Sequence, residues 1–136
     1  MSFRIVNPSS LGEPRGWNHG MLAPSGGRTL FVAGMTASDE SGRVEPADFV
    51  KQFDRALANV LVVVREAGGE PSHVGRLTIY VTDMAAYRAS LAALGRAYRE
   101  RMGRHFPAIA LVAVRELVDE HAVVEIEATA VLPDTD

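Results

Sequence analysis

The densest group of reactive side chains in this sequence is Gly16-Trp17-Asn18-His19-Gly20, where an aromatic plate, an amide and an imidazole stand between two glycines. His19 can act as a base or a donor near neutral pH, where an unperturbed imidazole titrates. Trp17 offers a flat face for stacking a ligand, and Asn18 both a donor and an acceptor. The same residues also suit scaffold roles, with His19 as hydrogen-bonded support at a strand start and Trp17 as an anchor under its loop. The second candidate is Glu125. It alternates with Val124, Ile126, Ala128 and Ala130, so it faces away from the apolar side of a strand together with Val123, Glu127, Thr129 and Val131. A carboxylate on that face is either a solvated or ion-paired sheet residue or, if the face borders a cleft, a group placed for general acid-base work.

Other chemistries find no support in the residue types or their spacing. The chain has no cysteine, so it has no thiolate nucleophile, no disulfide and no Cys-based zinc site. His73, His105 and His121 are scattered without HxH or HExxH spacing, and no metal site is expected. Gly26-Gly27 and Gly68-Gly69 lack phosphate-loop patterns, and no cofactor is called for. Fourteen Lys and Arg against seventeen Asp and Glu give a net charge of -3 without a basic run, so nucleic acid is not an expected partner. The longest apolar run, Val60 to Val64, is far shorter than the roughly 20 residues that span a bilayer. With no charged segment leading into an apolar run near Met1, a cytoplasmic location is expected and no membrane partner.

The elements that must position these residues are legible from periodicity. The 136 residues, 47% of them hydrophobic, fit one domain spanning 1–136. Val44 to Ala67 places Phe49, Phe53, Ala56, Leu57, Val60, Leu61 and Val64 at helical spacing, with Pro46 in the first turn and Gly68-Gly69 as the stop. A second helix is predicted from an Asp83 cap to about Met102, ended by Gly103, with Tyr87, Leu91, Leu94 and Tyr98 on one stripe and Arg88, Arg96 and Arg99 off it. Strands are predicted at Arg4 to Val6, His19 to Ala23, Thr29 to Ala33, Arg76 to Thr82, Ala108 to Val114 and Ala122 to Leu132. Pro24 to Gly27 reads as a turn joining two antiparallel strands.

This order predicts an α+β fold, a single mixed β-sheet of about six strands with two helices on one face. Thr29 to Ala33 and Ile109 to Val114 are apolar on both faces, so the second face also needs a cover. With both helices already used, another copy of the chain is the expected partner.

Several segments together resemble the Rid (YjgF-like) family, whose chorismate-mutase-like fold assembles as a trimeric barrel. They are Leu30-Phe31-Val32-Ala33-Gly34-Met35, Ala56-Leu57-Ala58-Asn59-Val60 with Ala67-Gly68-Gly69, Leu77 to Asp83, Phe106-Pro107-Ala108 and Val124-Glu125-Ile126-Glu127-Ala128. The resemblance covers about 15–132 and implies a homotrimer with ligand pockets in clefts between subunits. In the family's deaminases an arginine after Pro-Ala clamps a substrate carboxylate, and the glutamate matching Glu125 positions the attacking water. Here Ile109 stands in the arginine's place, and isoleucine cannot make the paired charge-assisted hydrogen bonds of a guanidinium. Trp17, Ala33 and Leu91 likewise stand where those deaminases carry a tyrosine, a serine and an asparagine.

The resemblance therefore implies a pocket walled by Trp17, Asn18, Ala33, Gly34, Leu91, Ile109 and Leu111, with Glu125 and His19 as candidate catalytic groups. Such a pocket suits a hydrophobic small molecule, an imine, enamine or related tautomer with an aromatic or aliphatic body, over a three-carbon amino-acid imine. Arg15 or Arg115 could supply the missing positive charge from another direction. Whether the chain catalyses a reaction or only binds its ligand on the same trimeric scaffold stays open at this point.

Overall fold

The computed structural model describes residues 2–134, so Met1, Thr135 and Asp136 of the expected 1–136 domain lie outside the described residues. The strands are β1 (Arg4–Val6), β2 (Gly20–Leu22), β3 (Arg28–Met35), β4 (Val74–Val81), β5 (Ala108–Ala113) and β6 (Val124–Leu132). The helices are α1 (Phe49–Glu66), α2 (Met84–Ala89) and α3 (Leu91–Met102). The alternation read in β6 holds throughout: Val124, Ile126, Ala128, Ala130 and Leu132 are buried, and the residues between them are half-buried. Hydrogen bonding places β6 antiparallel between β3 and β4, and β4 parallel to β5, in the order β3-β6-β4-β5.

α1 lies against β6 and β3, with α3 beside it. Ala56, Leu57, Val60, Leu61 and Val64 of α1 are fully buried against the sheet. At roughly 1.5–3 kcal/mol for each large apolar side chain, this stripe is the main adhesive between the layers. Gln52 falls on the same stripe and is also buried; its Nε2 donates to the His121 carbonyl at 2.8 Å and its Oε1 accepts from Val123 N–H at 2.9 Å. The amide thus ties α1 to the segment entering β6 and leaves neither backbone group unpaired.

Three expectations are corrected. The sheet is not a single six-stranded one: β1 and β2 form a separate two-stranded antiparallel ribbon, with Arg4 opposite Leu22 and Val6 opposite Gly20. The turn at Ser25-Gly26, with Gly26 at φ 77°, therefore links two sheets and closes no hairpin. The ribbon is held by Phe3, whose ring occupies the space beside Gly75 where a Cβ would stand 2.8 Å away. Next, the second helix divides into α2 and α3 at Ser90, whose backbone (φ -115°, ψ 15°) leaves helical geometry. Periodicity runs through this break because no Gly or Pro marks it. Finally, α1 starts at Phe49, where the Asp48 side chain accepts from Lys51 N–H at 2.9 Å; Pro46 lies before the helix, and Val44 pairs with Ser38 in an isolated bridge.

The sheet has one helix-covered face and one open face. Leu77, Ile79, Ile109 and Leu111 share the covered side, while Thr78, Tyr80, Glu125 and Glu127 project from the other. Phe31 on the open side is 80% exposed and Val112 44%. Among the described residues no helix is long and apolar enough to cross a membrane.

Candidate functional site

A cavity of about 610 Å³ opens between the covered face of the sheet and the paired helices α2 and α3. Its floor is Ile79 of β4 with Ile109 and Leu111 of β5, which alternate with outward-facing residues and so reach the same side. Its roof is Tyr87, Leu91, Leu94 and Tyr98. The break at Ser90 separates Tyr87 from the other three, and α1 contributes Phe53. Phe106 closes one end; its ring stacks on Tyr98 at 5.2 Å with the planes 10° apart. The Tyr98 hydroxyl donates to the His105 carbonyl at 2.6 Å, and burial pushes its phenol well above the usual range.

Trp17 and Gly16 form the rim, held there by Asn18. The Asn18 backbone N–H donates to the Pro107 carbonyl at 3.1 Å, and its Nδ2 donates to the Phe106 carbonyl at 2.6 Å. These two bonds fasten the loop to the chain just ahead of β5 and bring Trp17 beside Ile109's cavity. Asn18 Oδ1 accepts from Asn7 at 2.8 Å, so both ends of its amide are engaged within the protein. His19 Nε2 lies 3.2 Å from the Gly12 carbonyl, a contact in which nitrogen donates, and the imidazole meets Trp17 edge-on at 6.3 Å.

Glu125 occupies different ground. It lies opposite Tyr80 on the open face, folded over β3 so closely that a Cβ at Gly34 would stand 2.7 Å from its Oε2. Gly34 is therefore the residue that makes room for this carboxylate. The neighbouring Tyr80 hydroxyl donates to Glu127 Oε1 at 2.8 Å; that hydrogen bond, with partial burial and the nearby carboxylates, raises the Tyr80 phenol above its ordinary value. Ala33 is exposed in the same part of β3, where the pairing with β6 shifts register between Val32 and Met35.

The structure thus brings Trp17, Leu91, Ile109 and Leu111 into one cavity and puts Ala33, Gly34 and Glu125 across the sheet from it. Asn18 and His19 follow Trp17 in the chain but do not line the cavity; their polar atoms turn to backbone and to Asn7, and His19 lines a separate hollow with Phe3, Gly75 and Ala108. Of the two arginines considered as replacements, Arg15 lines the cavity and Arg115 does not. Tyr87, Gly95, Arg99 and Phe106 were not marked as pocket residues by the sequence. Tyr87 reads as core on its stripe and Arg99 as solvated off it, and only the break at Ser90 gives both a cavity to face. Among the described residues no cluster of three or more His, Asp or Glu is arranged to hold a metal ion.

Comparison with known proteins finds one family over most of the chain. The endoribonuclease L-PSP family profile matches residues 13–132. A crystal structure of a Yersinia pestis protein of the conserved Rid family, itself of unknown function, superposes with a TM-score of 0.84 at 34% identity, covering 97% of this chain and 100% of that one. A RutC family protein of Pasteurella multocida is 33% identical over 106 residues, 77% of this chain and 81% of its own length. The goat 2-iminobutanoate/2-iminopropanoate deaminase is 30% identical over 105 residues, 76% of this chain and 73% of its own.

Proposed function

Because the chain belongs to the Rid (YjgF, endoribonuclease L-PSP) family, we propose that it binds, and hydrolyses, imines or enamines with a bulky apolar body in clefts between subunits of a homotrimer. The observation that carries this reading is the cavity floor. Ile109, standing where the family resemblance calls for a carboxylate-clamping arginine, presents hydrocarbon beside Leu111, and Trp17, Leu91 and Phe106 extend the apolar wall. Such a lining favours an aromatic or branched substrate over 2-iminopropanoate, since burial of apolar area is its main source of affinity.

Sheet order supports the inter-subunit site. β3 and β5 are the two outer strands, so Gly34 and Glu125 lie toward one edge and the Ile109 cavity toward the other. Copies placed side by side bring the Glu125 edge of one against the cavity of the next, and the exposed Phe31 and Val112 give the open face an apolar surface to cover. In that arrangement Glu125 takes a proton from water as the oxygen bonds to the imine carbon and returns one to nitrogen. The hydroxyl proton of this adduct then passes to nitrogen as the carbon–nitrogen bond breaks, releasing ammonia and leaving a carbonyl product. Asn18 and His19 serve by holding Trp17 at the rim, and the chemistry calls for no cofactor.

The family profile's name denotes an endoribonuclease, but two arginines around an apolar cavity are a poor match for a polyanionic backbone. A non-catalytic ligand-binding role is the second reading, favoured by the engagement of Asn18 and His19 within the scaffold. Imino acids generated in situ by an amino acid oxidase separate the readings. We expect faster ammonia release from the imines of phenylalanine or tryptophan than from that of alanine, and loss of the acceleration in Glu125→Gln with binding of the aromatic keto acid retained. Preferential hydrolysis of 2-iminopropanoate would overturn the proposal; binding without acceleration of any imine would establish the second reading.

A further inference from the structure

We propose that Arg15 and Arg99 form the anion-holding end of the cavity, so that its preferred ligand is an amphipathic carboxylate whose apolar body lies on Ile109, Leu111 and Trp17. The inference rests on the cavity being the ligand site and adds the charge of the ligand and the residues that read it. Both arginines line the cavity, which has no acidic residue in its wall. Among the described residues neither guanidinium has a carboxylate partner, whereas Arg101 of the same helix grips Asp54 of α1 through contacts of 2.9 and 3.0 Å. Arg101 is thus a structural cation, and Arg15 and Arg99 are left with their charge directed at the cavity.

Gly95 gives Arg99 its place. One turn ahead on α3, it also lines the cavity, and a Cβ there would stand 3.2 Å from the Arg99 Nη1. The guanidinium therefore folds back over the glycine at the cavity wall, where the Arg99 side chain stays exposed. Two positive groups against a low-dielectric wall concentrate potential and favour an anion, and a planar guanidinium fork matches a carboxylate bidentately. A ligand that satisfies both carries its anionic head beside α3 and its apolar body across β5.

The test uses 3-phenylpropanoate and 3-phenylpropanamide, alike in shape and differing in charge, titrated calorimetrically into the full chain at low ionic strength. The carboxylate is expected to bind at least tenfold more tightly, and the advantage to shrink in salt. The double variant Arg15→Gln/Arg99→Gln is expected to lose most of that advantage while holding its affinity for the amide. Arg65→Gln, on the last turn of α1, controls for net charge and is expected to change neither. Equal affinity of the two probes, or a preference that survives the double variant, overturns the arginine assignment and leaves the apolar cavity standing. Failure of both probes to bind overturns the assignment together with the cavity reading.

Discussion

Ile109 decides what the floor of the cavity can hold. Replacing it by arginine returns a guanidinium to β5, and each charged hydrogen bond it makes to a small carboxylate is worth about 1.5–3 kcal/mol. Ile109→Arg is therefore expected to improve binding of pyruvate, the product of the smallest imine, by tenfold or more, and to weaken 3-phenylpropanamide; paired titrations check both. Gln52 shows the opposite kind of residue, a polar group whose work is entirely internal. Gln52→Leu keeps the volume but strands the His121 carbonyl and the Val123 N–H, at about 1–3 kcal/mol for each buried group left unpaired. We expect a loss of at least 1 kcal/mol in urea unfolding. Neither its burial nor its partners, 69 and 71 residues away, could be read from the helical spacing of apolar residues.

Among the elements, α3 carries both a structural and a recognition task on adjacent turns. Gly95 lowers its helix propensity by about 1 kcal/mol relative to alanine. Gly95→Ala is accordingly expected to raise the melting temperature by a few degrees while weakening 3-phenylpropanoate binding, because the new methyl crowds the Arg99 guanidinium. Stability and affinity moving in opposite directions, read by calorimetry and titration on one variant, distinguish this from a general packing effect. The Arg101 bridge to α1 holds the Asp54 carboxyl below its ordinary value, chiefly through the hydrogen bond from the guanidinium. A lowered folded-state pKa adds stability that is present above the unfolded pKa and is lost as pH falls through the folded one. Both partners are more than a third exposed, so the contribution is about 0–1 kcal/mol. Asp54→Asn is expected to cost little at pH 7 and to flatten the decline in stability below about pH 4.

At the scale of the whole molecule the open sheet face is the surface proposed to meet other copies of the chain. Phe31→Asp places a charge at the most exposed large aromatic of that face, away from the helix-side core. If copies of the chain meet there, the variant sediments as a monomer while keeping its secondary structure; an unchanged mass for wild type and variant, each equal to one chain, would locate the ligand site within a single subunit. Comparing sedimentation with circular dichroism on the same samples separates loss of assembly from loss of fold.

The alternation of β6, the stripe of α1 and the caps at Asp83 and Gly103 were all set by local residue order, because period 2 and period 3.6 are properties of neighbours along the chain. Tertiary structure alone divided β1 and β2 from the main sheet, broke the second helix at Ser90 and put Glu125 on the face opposite Ile109. Those outcomes depend on which strands pair and in what register. A shift of one residue would turn each side chain to the other face, and the pairing partners of Glu125 and Ile109 lie tens of residues away in sequence. The glycine beside Arg99 lies one turn away in its own helix, but the cavity that both line is walled by residues from β4, β5 and the Trp17 loop, which only the tertiary structure brings there.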